Sequence, residues 1–415
     1  MKHTSCPVTN CQICDSRDLS SIIFLGYLPP VNTMPPINAS PVEEPSFPLE
    51  LLRCDDCGLV QIGLEVSQEV LFPESYPYLS GSTRILRDNF AQQYQEVQDV
   101  VGLEEDDLVI DVGSNDGTLL YNYLLGGHKV LGIEPSQAAD VAIKQGINTE
   151  KTYFGLATAN RIREQYGPAK VVTACNVFAH ITDVHAVVDG IVNMLGEDGV
   201  FVSESHYLAD LVETLQYDTI YHEHLRYYHL GAIQSLLEKH DLEVFHVNRI
   251  PTHGGSIRVF AGRKGRRQVK PSVENCLARE EQLGINSGKG LADFRARVIS
   301  SKLDLYAMLA PIKAAGARIY GIGAPSRGST LINYLGLDDG ILEAVMEVST
   351  SHKLNKYMPG TRIPVLDERK LYEDQPEYAL FLSWHIADEL APILRKNGFK
   401  GKFIVPLETP KIIDF

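Results

Sequence analysis

Short runs of branched apolar residues alternate along this chain with longer stretches in which apolar positions recur every three or four residues. Leu108 to Asp111, Lys129 to Ile133, Ala169 to Ala174 and Gly199 to Val202 are such runs, and they suit strands covered on both faces of a parallel sheet. From Thr83 to Val101, residues Ile85, Leu86, Phe90, Tyr94 and Val97 share one face of a predicted helix. Phe245 to Asn248 and Ser256 to Phe260 read as an antiparallel hairpin, and Val273 to about Ala315 as helical. Further strands begin at Ala317, Leu342, Tyr378 and Lys402. The expected fold is α/β: a central Rossmann-like sheet (residues 76–265), a small amino-terminal module (1–75), a helical bridge (266–310) and a carboxyl-terminal Rossmann-like α/β lobe (311–415).

Charge narrows the partners. A formal net charge of −15 excludes nucleic acid as an expected partner, because phosphate backbones are bound by basic surfaces. The short run Lys264-Gly265-Arg266-Arg267 reads as a solvated turn. No stretch of 18 apolar residues exists, and the first residues lack a charged-then-apolar leader pattern, so a cytoplasmic protein with no membrane partner is expected. Seven cysteines in a reducing compartment call for a role other than disulfides. Cys11-x-x-Cys14 and Cys54-x-x-Cys57 supply it, since four thiolates complete a closed tetrahedral site for structural Zn2+. A redox pair is the rival, but no thioredoxin-like βαβ pattern surrounds either motif. Cys6 is a possible substitute ligand; Cys175 and Cys276 read as isolated thiols.

The turn after Asp111 holds the first candidate chemistry. Gly113 and Gly117 permit a tight turn and close backbone approach, and the helix from Thr118 turns its free N–H groups toward whatever lies there. Glu134, 23 residues after Asp111, closes the next strand, where an acid takes a ribose hydroxyl pair. The dinucleotide pattern G-x-G-x-x-G is absent, and Asp116 in the turn disfavours a pyrophosphate. The D-V-G-x-x-D-G form resembles motif I of S-adenosylmethionine-dependent methyltransferases of class I. That resemblance implies a cofactor contact for Asp111, Gly113, Asn115, Asp116 and Glu134. Asn176 and His180 follow the next buried strand, whose carboxyl end opens onto the same crevice, so they can reach the cofactor's methionine portion or the substrate.

Tyr221-His222-Glu223-His224 is the densest chemistry in the chain. An imidazole titrates near neutrality, a neighbouring carboxylate can orient it, and a phenol can stabilise an oxyanion. Metal binding is the alternative, but H-E-x-x-H is absent and no third ligand is evident. Tyr76 and Tyr78 either pack the entry to the helix at Thr83 or wall a polar substrate. His253 and Arg258, at the hairpin, are placed to meet an anionic substrate. In the last lobe, Tyr320-Gly321-Ile322-Gly323 leads to Arg327, and Lys353 and Lys356 follow the next strand. That second turn favours phosphate, unless it is a duplicated fold without a ligand.

Taken end to end, the chain resembles sugar C-methyltransferases that build branched deoxysugars, on the paired C-x-x-C module, D-V-G-S-N-D-G, Y-H-E-H, H-G-G-S-I-R and Y-G-x-G-A-x-x-x-G-x-T. The resemblance implies S-adenosylmethionine and a nucleotide-linked 4-keto-6-deoxy sugar, dTDP- or GDP-linked. It implies that Tyr221, Glu223 and His224 lie at the reaction centre, with His180 and a tyrosine of the amino-terminal module nearby. It also puts the nucleotide mainly on the last lobe, near Tyr320, Gly323, Arg327, Lys353 and Lys356. Arg327 departs from the lysine expected there, so the phosphate geometry differs. The expected reaction is methylation at C3 through an enolate, with His224 as base, Glu223 orienting or polarising it, and Tyr221 and His180 stabilising the enolate oxygen. The expected assembly is a monomer or weak homodimer. An O- or N-methyltransferase on a small metabolite, or a non-catalytic nucleotide-binding protein, is the alternative.

Overall fold

A computed structural model describes residues 4–40, 42–72 and 79–414. The strand Leu108–Val112 is buried at all five positions, as its unbroken apolar run requires, and it sits inside a seven-stranded sheet. In spatial order the strands are Leu242–Ile250, Ser256–Arg263, Leu195–His206, Ala169–Cys175, Leu108–Val112, Lys129–Ile133 and Thr149–Glu150. Five run parallel, while Ser256–Arg263 inserts antiparallel beside Leu195–His206 and pairs with Leu242–Ile250 as the predicted hairpin. The helix Arg84–Val101 starts on Thr83, whose side chain accepts from the Leu86 N–H, and stops at Gly102 in the left-handed region. Leu86, Phe90 and Val97 are buried as expected, whereas Ile85 is exposed.

The amino-terminal sheet has an unexpected member. Leu19–Leu28, Phe47–Cys54 and Val60–Ile62 pair antiparallel, and the fourth strand is Arg226–Tyr227, the two residues that follow His224 after one intervening leucine. The last lobe is a second seven-stranded sheet. Its parallel centre is Pro364–Asp367, Ala344–Glu347, Ile319–Ile322, Tyr378–Phe381 and Lys402–Val405, with antiparallel edges Lys356–Tyr357 and Lys411–Ile413. Helices Pro271–Gln282 and Lys289–Ala314 connect the two large sheets. No helix among the described residues is long and apolar enough to cross a membrane.

One buried carboxylate joins the bridge to the amino-terminal module. Glu280 accepts from the Leu230 and Gly231 N–H groups that open the helix Leu230–Glu238, from the Tyr207 hydroxyl (2.9 Å), and it faces His229 Nδ1 at 3.0 Å. The other nitrogen of His229 lies 3.1 Å from the Gly58 carbonyl, beside the second cysteine pair. Burial alone would raise the Glu280 pKa, but the contacts from His229 and the two N–H groups hold it below the usual carboxylate range. Glu280→Ala leaves several buried donors without an acceptor, so a loss of about 3 kcal/mol or more is expected, read as a lower urea midpoint. Glu280→Gln, which keeps one acceptor, should lose less.

Candidate active site

The four cysteines converge as their spacing predicts. The Sγ atoms of Cys11, Cys14, Cys54 and Cys57 all lie within 4.8 Å of one another. The Ile13 and Cys14 N–H groups point at the Cys11 sulfur at 3.5 Å, as in a knuckle that stabilises thiolate. Crowding splits the thiols: the contact with Cys57 pulls the Cys11 pKa down to about 5 and pushes Cys57 up. Four thiolates can therefore coexist there only around a cation, and the closed all-sulfur set fits structural zinc. Cys6 is exposed and stands outside the cluster. Cys175 donates to Gln93, and Cys276 touches Tyr207.

The turn after the first strand is built for close approach. Gly113 has φ +74°, and a Cβ there would sit 2.5 Å from Val177, so the two strand ends nearly touch. Glu134 accepts from the N–H groups of Asn115 (3.0 Å) and Ser136 (2.8 Å), which fixes its carboxylate at the strand end with lone pairs to spare. Three expected cofactor contacts have internal partners instead. Asp116 accepts from the Gly81 and Thr118 N–H groups and the Thr118 hydroxyl, satisfying free donors at the start of the helix Thr118–Leu125. The Asn115 side chain accepts from the Ser80 N–H, and the Asp111 carboxylate from the Thr173 hydroxyl at 2.6 Å. Burial pushes Asp111 up to about 7, so a neutral acid is accessible near neutrality.

Asn176, at φ +56°, leads from the Val177 contact into a small cavity shared with His180, Ser205, His206, His224 and Tyr228. His224 Nδ1 lies 3.0 Å from the Thr219 carbonyl, so it carries the proton and Nε2 keeps its lone pair. Burial, reinforced by His180 and His206, holds the imidazole well below its ordinary pKa and therefore neutral. The Tyr221 ring lies 4.2 Å from that of His224, and the His180 ring 5.0 Å away on another side. His180 is held to about 4 by burial against a hydrogen bond to the Glu223 backbone, and its buried Nδ1 has no partner among the described residues. Glu223 does not orient His224, contrary to expectation. Its carboxylate accepts from Asn32 in the proline-rich amino-terminal loop, and burial raises it to about 7. The Thr219 carbonyl does the orienting. Histidine 206, which the sequence pattern did not single out, ends its strand in the same cavity with Nε2 buried and unpartnered.

The second turn meets the first lobe. Gly323 has φ +78°, and a Cβ there would fall 2.6 Å from Ser383. Arg327 is not free for phosphate: it grips both oxygens of Asp218 (2.7 and 2.8 Å) and lies over the Trp384 ring. Tyr320 gives its hydroxyl to Asp374 and packs in the lobe's core. Arg258 is likewise spent, on Glu204, Glu96 and Asn89, because a cation paired across the sheet with Glu204 and fully buried needs its counter-charges close. Lys353 donates to the Ala324 carbonyl at 2.6 Å and lies within electrostatic reach of Glu223, while Lys356 stays half-buried on an edge strand. His253 sits in a turn at φ +58°, lowered by burial and near Arg327. Tyr76 and Tyr78 fall outside the described residues.

A methyltransferase domain family matches residues 85–247, a C-methyltransferase C-terminal domain family matches 251–408, and a zinc binding domain family matches 11–72. The C-methyltransferase NovU of Streptomyces niveus is 31% identical over 412 residues, spanning 98% of this chain and 97% of its own. Among solved structures, an S-adenosylmethionine-dependent methyltransferase from Clostridium acetobutylicum is 16% identical, covers 45% of this chain and 94% of its own, and has a TM-score of 0.36. Magnesium protoporphyrin IX methyltransferase from Synechocystis is 15% identical, covers 43% of this chain and 83% of its own, and has a TM-score of 0.34.

Cys54→Ser should abolish stoichiometric zinc, measured by elemental analysis of the purified protein, whereas Cys6→Ser should retain it. A pH response follows from the buried imidazoles. His180, His206, His222, His224, His253 and His385 are all depressed in the folded chain, chiefly by burial. The unfolded chain protonates them near pH 6.5 and the native chain does not, so their stabilisation is full above 6.5 and drains as pH falls toward 4. Asp111 and Glu223, raised to about 7, oppose this but are outnumbered. The thermal midpoint should drop between pH 7 and 5, and His180→Asn should flatten that slope.

Proposed function

The chain belongs to the family of S-adenosylmethionine-dependent C-methyltransferases, and from that premise we propose that it methylates C3 of a nucleotide-linked 4-keto-6-deoxy sugar through an enolate. The amino-terminal module (1–75), methyl-donor unit (76–265), helical bridge (266–310) and sugar-nucleotide lobe (311–415) then act as one cytoplasmic monomer or weak homodimer. The observation that carries this reading is the state of His224: neutral, with Nδ1 spent on the Thr219 carbonyl and Nε2 left for the cavity it shares with Asn176. Carbon becomes nucleophilic only after losing a proton, and the adjacent ketone makes that proton acidic enough for an imidazole.

Bound S-adenosylmethionine supplies an electrophilic methyl group on sulfonium, held by the Gly113 backbone, Glu134 and Asn176. His224 Nε2 takes the proton from C3. The electron pair moves to the C4 oxygen, where the Tyr221 hydroxyl would donate a hydrogen bond and His180 stands beside the His224 ring. Glu223, accessible as a neutral acid, ties this loop to Asn32 and faces Lys353. Lys353, Lys356, His253 and the Gly323 turn remain to contact the dTDP or GDP portion.

Incubation with 4-keto-6-deoxy sugar nucleotides in deuterated water tests the reading. The protein should exchange the C3 hydrogen and, with the methyl donor present, add a methyl at C3. His224→Asn should lose both activities by about a hundredfold or more while binding S-adenosylmethionine normally. Methyl transfer to oxygen or nitrogen without C–H exchange would overturn it.

A further inference from the structure

We propose that Arg327 and Asp218 are positioning residues for the reaction: the carboxyl-terminal lobe, through this ion pair, holds the Thr219 carbonyl that sets the tautomer and aim of His224. The inference rests on the assignment of His224 as the base and extends it to a part of the chain that does not touch the reacting carbon.

The turn Tyr217–Thr219 is one turn of 3-10 helix, too short to fix itself. Asp218 at its centre is fully buried. Its two oxygens receive the forked guanidinium of Arg327 at 2.7 and 2.8 Å, and one of them also receives the Trp384 indole N–H at 2.7 Å. Arg327 Nη2 reaches the Gln216 side-chain oxygen at 3.3 Å, on the other side of the same turn. The Thr330 hydroxyl, one helical turn after Arg327, donates to the Ile220 carbonyl at 3.1 Å. Residues 216, 218 and 220 are thus each fastened to the far lobe, and residue 219 between them presents its carbonyl to His224 Nδ1. The Thr219 hydroxyl is turned away onto the Gln216 carbonyl. A carbonyl accepts and cannot donate, so while it is held there Nδ1 must carry the proton and Nε2 must be the basic nitrogen. If the carbonyl swings away, either tautomer becomes accessible and the imidazole loses its fixed direction.

The geometry also explains why arginine stands at 327. A lysine keeps the charge but makes a single-point contact, whereas the fork fixes the plane of the carboxylate and with it the turn.

The test uses the zinc-loaded chain of 415 residues. Arg327→Ala strands a buried carboxylate and can unfold the chain, so the informative variants are Arg327→Lys and Asp218→Asn, with thermal midpoint, zinc content and S-adenosylmethionine affinity recorded for each. Arg327→Lys should lower kcat for C3 exchange by about ten- to a hundredfold, with methyl-donor affinity unchanged. Nitrogen-15 spectra of histidine-labelled protein, with the His224 signals identified by their loss in His224→Gln, should show a single Nδ1–H tautomer in the parent and a mixture in the variant. A His224 that keeps its tautomer in a folded Arg327→Lys protein, or exchange within about twofold of the parent, overturns the proposal. If instead His224→Gln itself remains active, the base assignment fails, and the tautomer spectra still decide whether the pair positions the ring.

Discussion

Residues 217–228 form a buried segment with little regular structure, and several of its polar groups take partners from elsewhere in the chain. The partners come from all three parts of the molecule. The amino-terminal sheet takes Arg226–Tyr227 as a strand, and the Ile62 N–H donates to the Leu225 carbonyl. The methyl-donor unit supplies the Ala179 carbonyl to the Leu225 N–H, and the carbonyls of Phe178, Ile181 and Thr182 to the Arg226 guanidinium. The last lobe grips Asp218 and Ile220. A loop so held has its geometry set by three other parts of the chain without being a helix or strand.

The electrostatics follow from the same burial. Buried imidazoles kept neutral and buried carboxylates pushed upward are costly unless the groups are paired or put to use. The ions that are kept, Arg258 with Glu204 and Arg327 with Asp218, are paired through forks. Water-poor surroundings of this kind strengthen a hydrogen bond to a developing oxyanion.

Periodicity and local spacing made the sheets, the hairpin, the helix at Thr83 and the four-cysteine cluster legible, because each depends on neighbours in sequence or on a doubled motif. The Tyr221–His224 loop and its company of His180 were legible too, through the rule that strand ends share a crevice. What stayed illegible has one cause. Asp116, Arg258, Tyr320 and Arg327 are polar residues placed near the right edges, and no local pattern reveals whether a ligand or another side chain satisfies them. Asp218, His206 and Trp384 were missed for the same reason, as their partners lie in other parts of the chain. Asn32, in a proline-rich loop, likewise meets a partner remote in sequence, Glu223.

The strand Arg226–Tyr227 has a consequence for how the chain is made. A ribosome releases the cysteine-rich segment first, yet the sheet that backs it stays one strand short until residue 227 has emerged. Most of the methyl-donor unit must therefore be synthesised before the first module can close. The nascent chain carries an open edge through that interval, and the residues that end the wait are neighbours of His224.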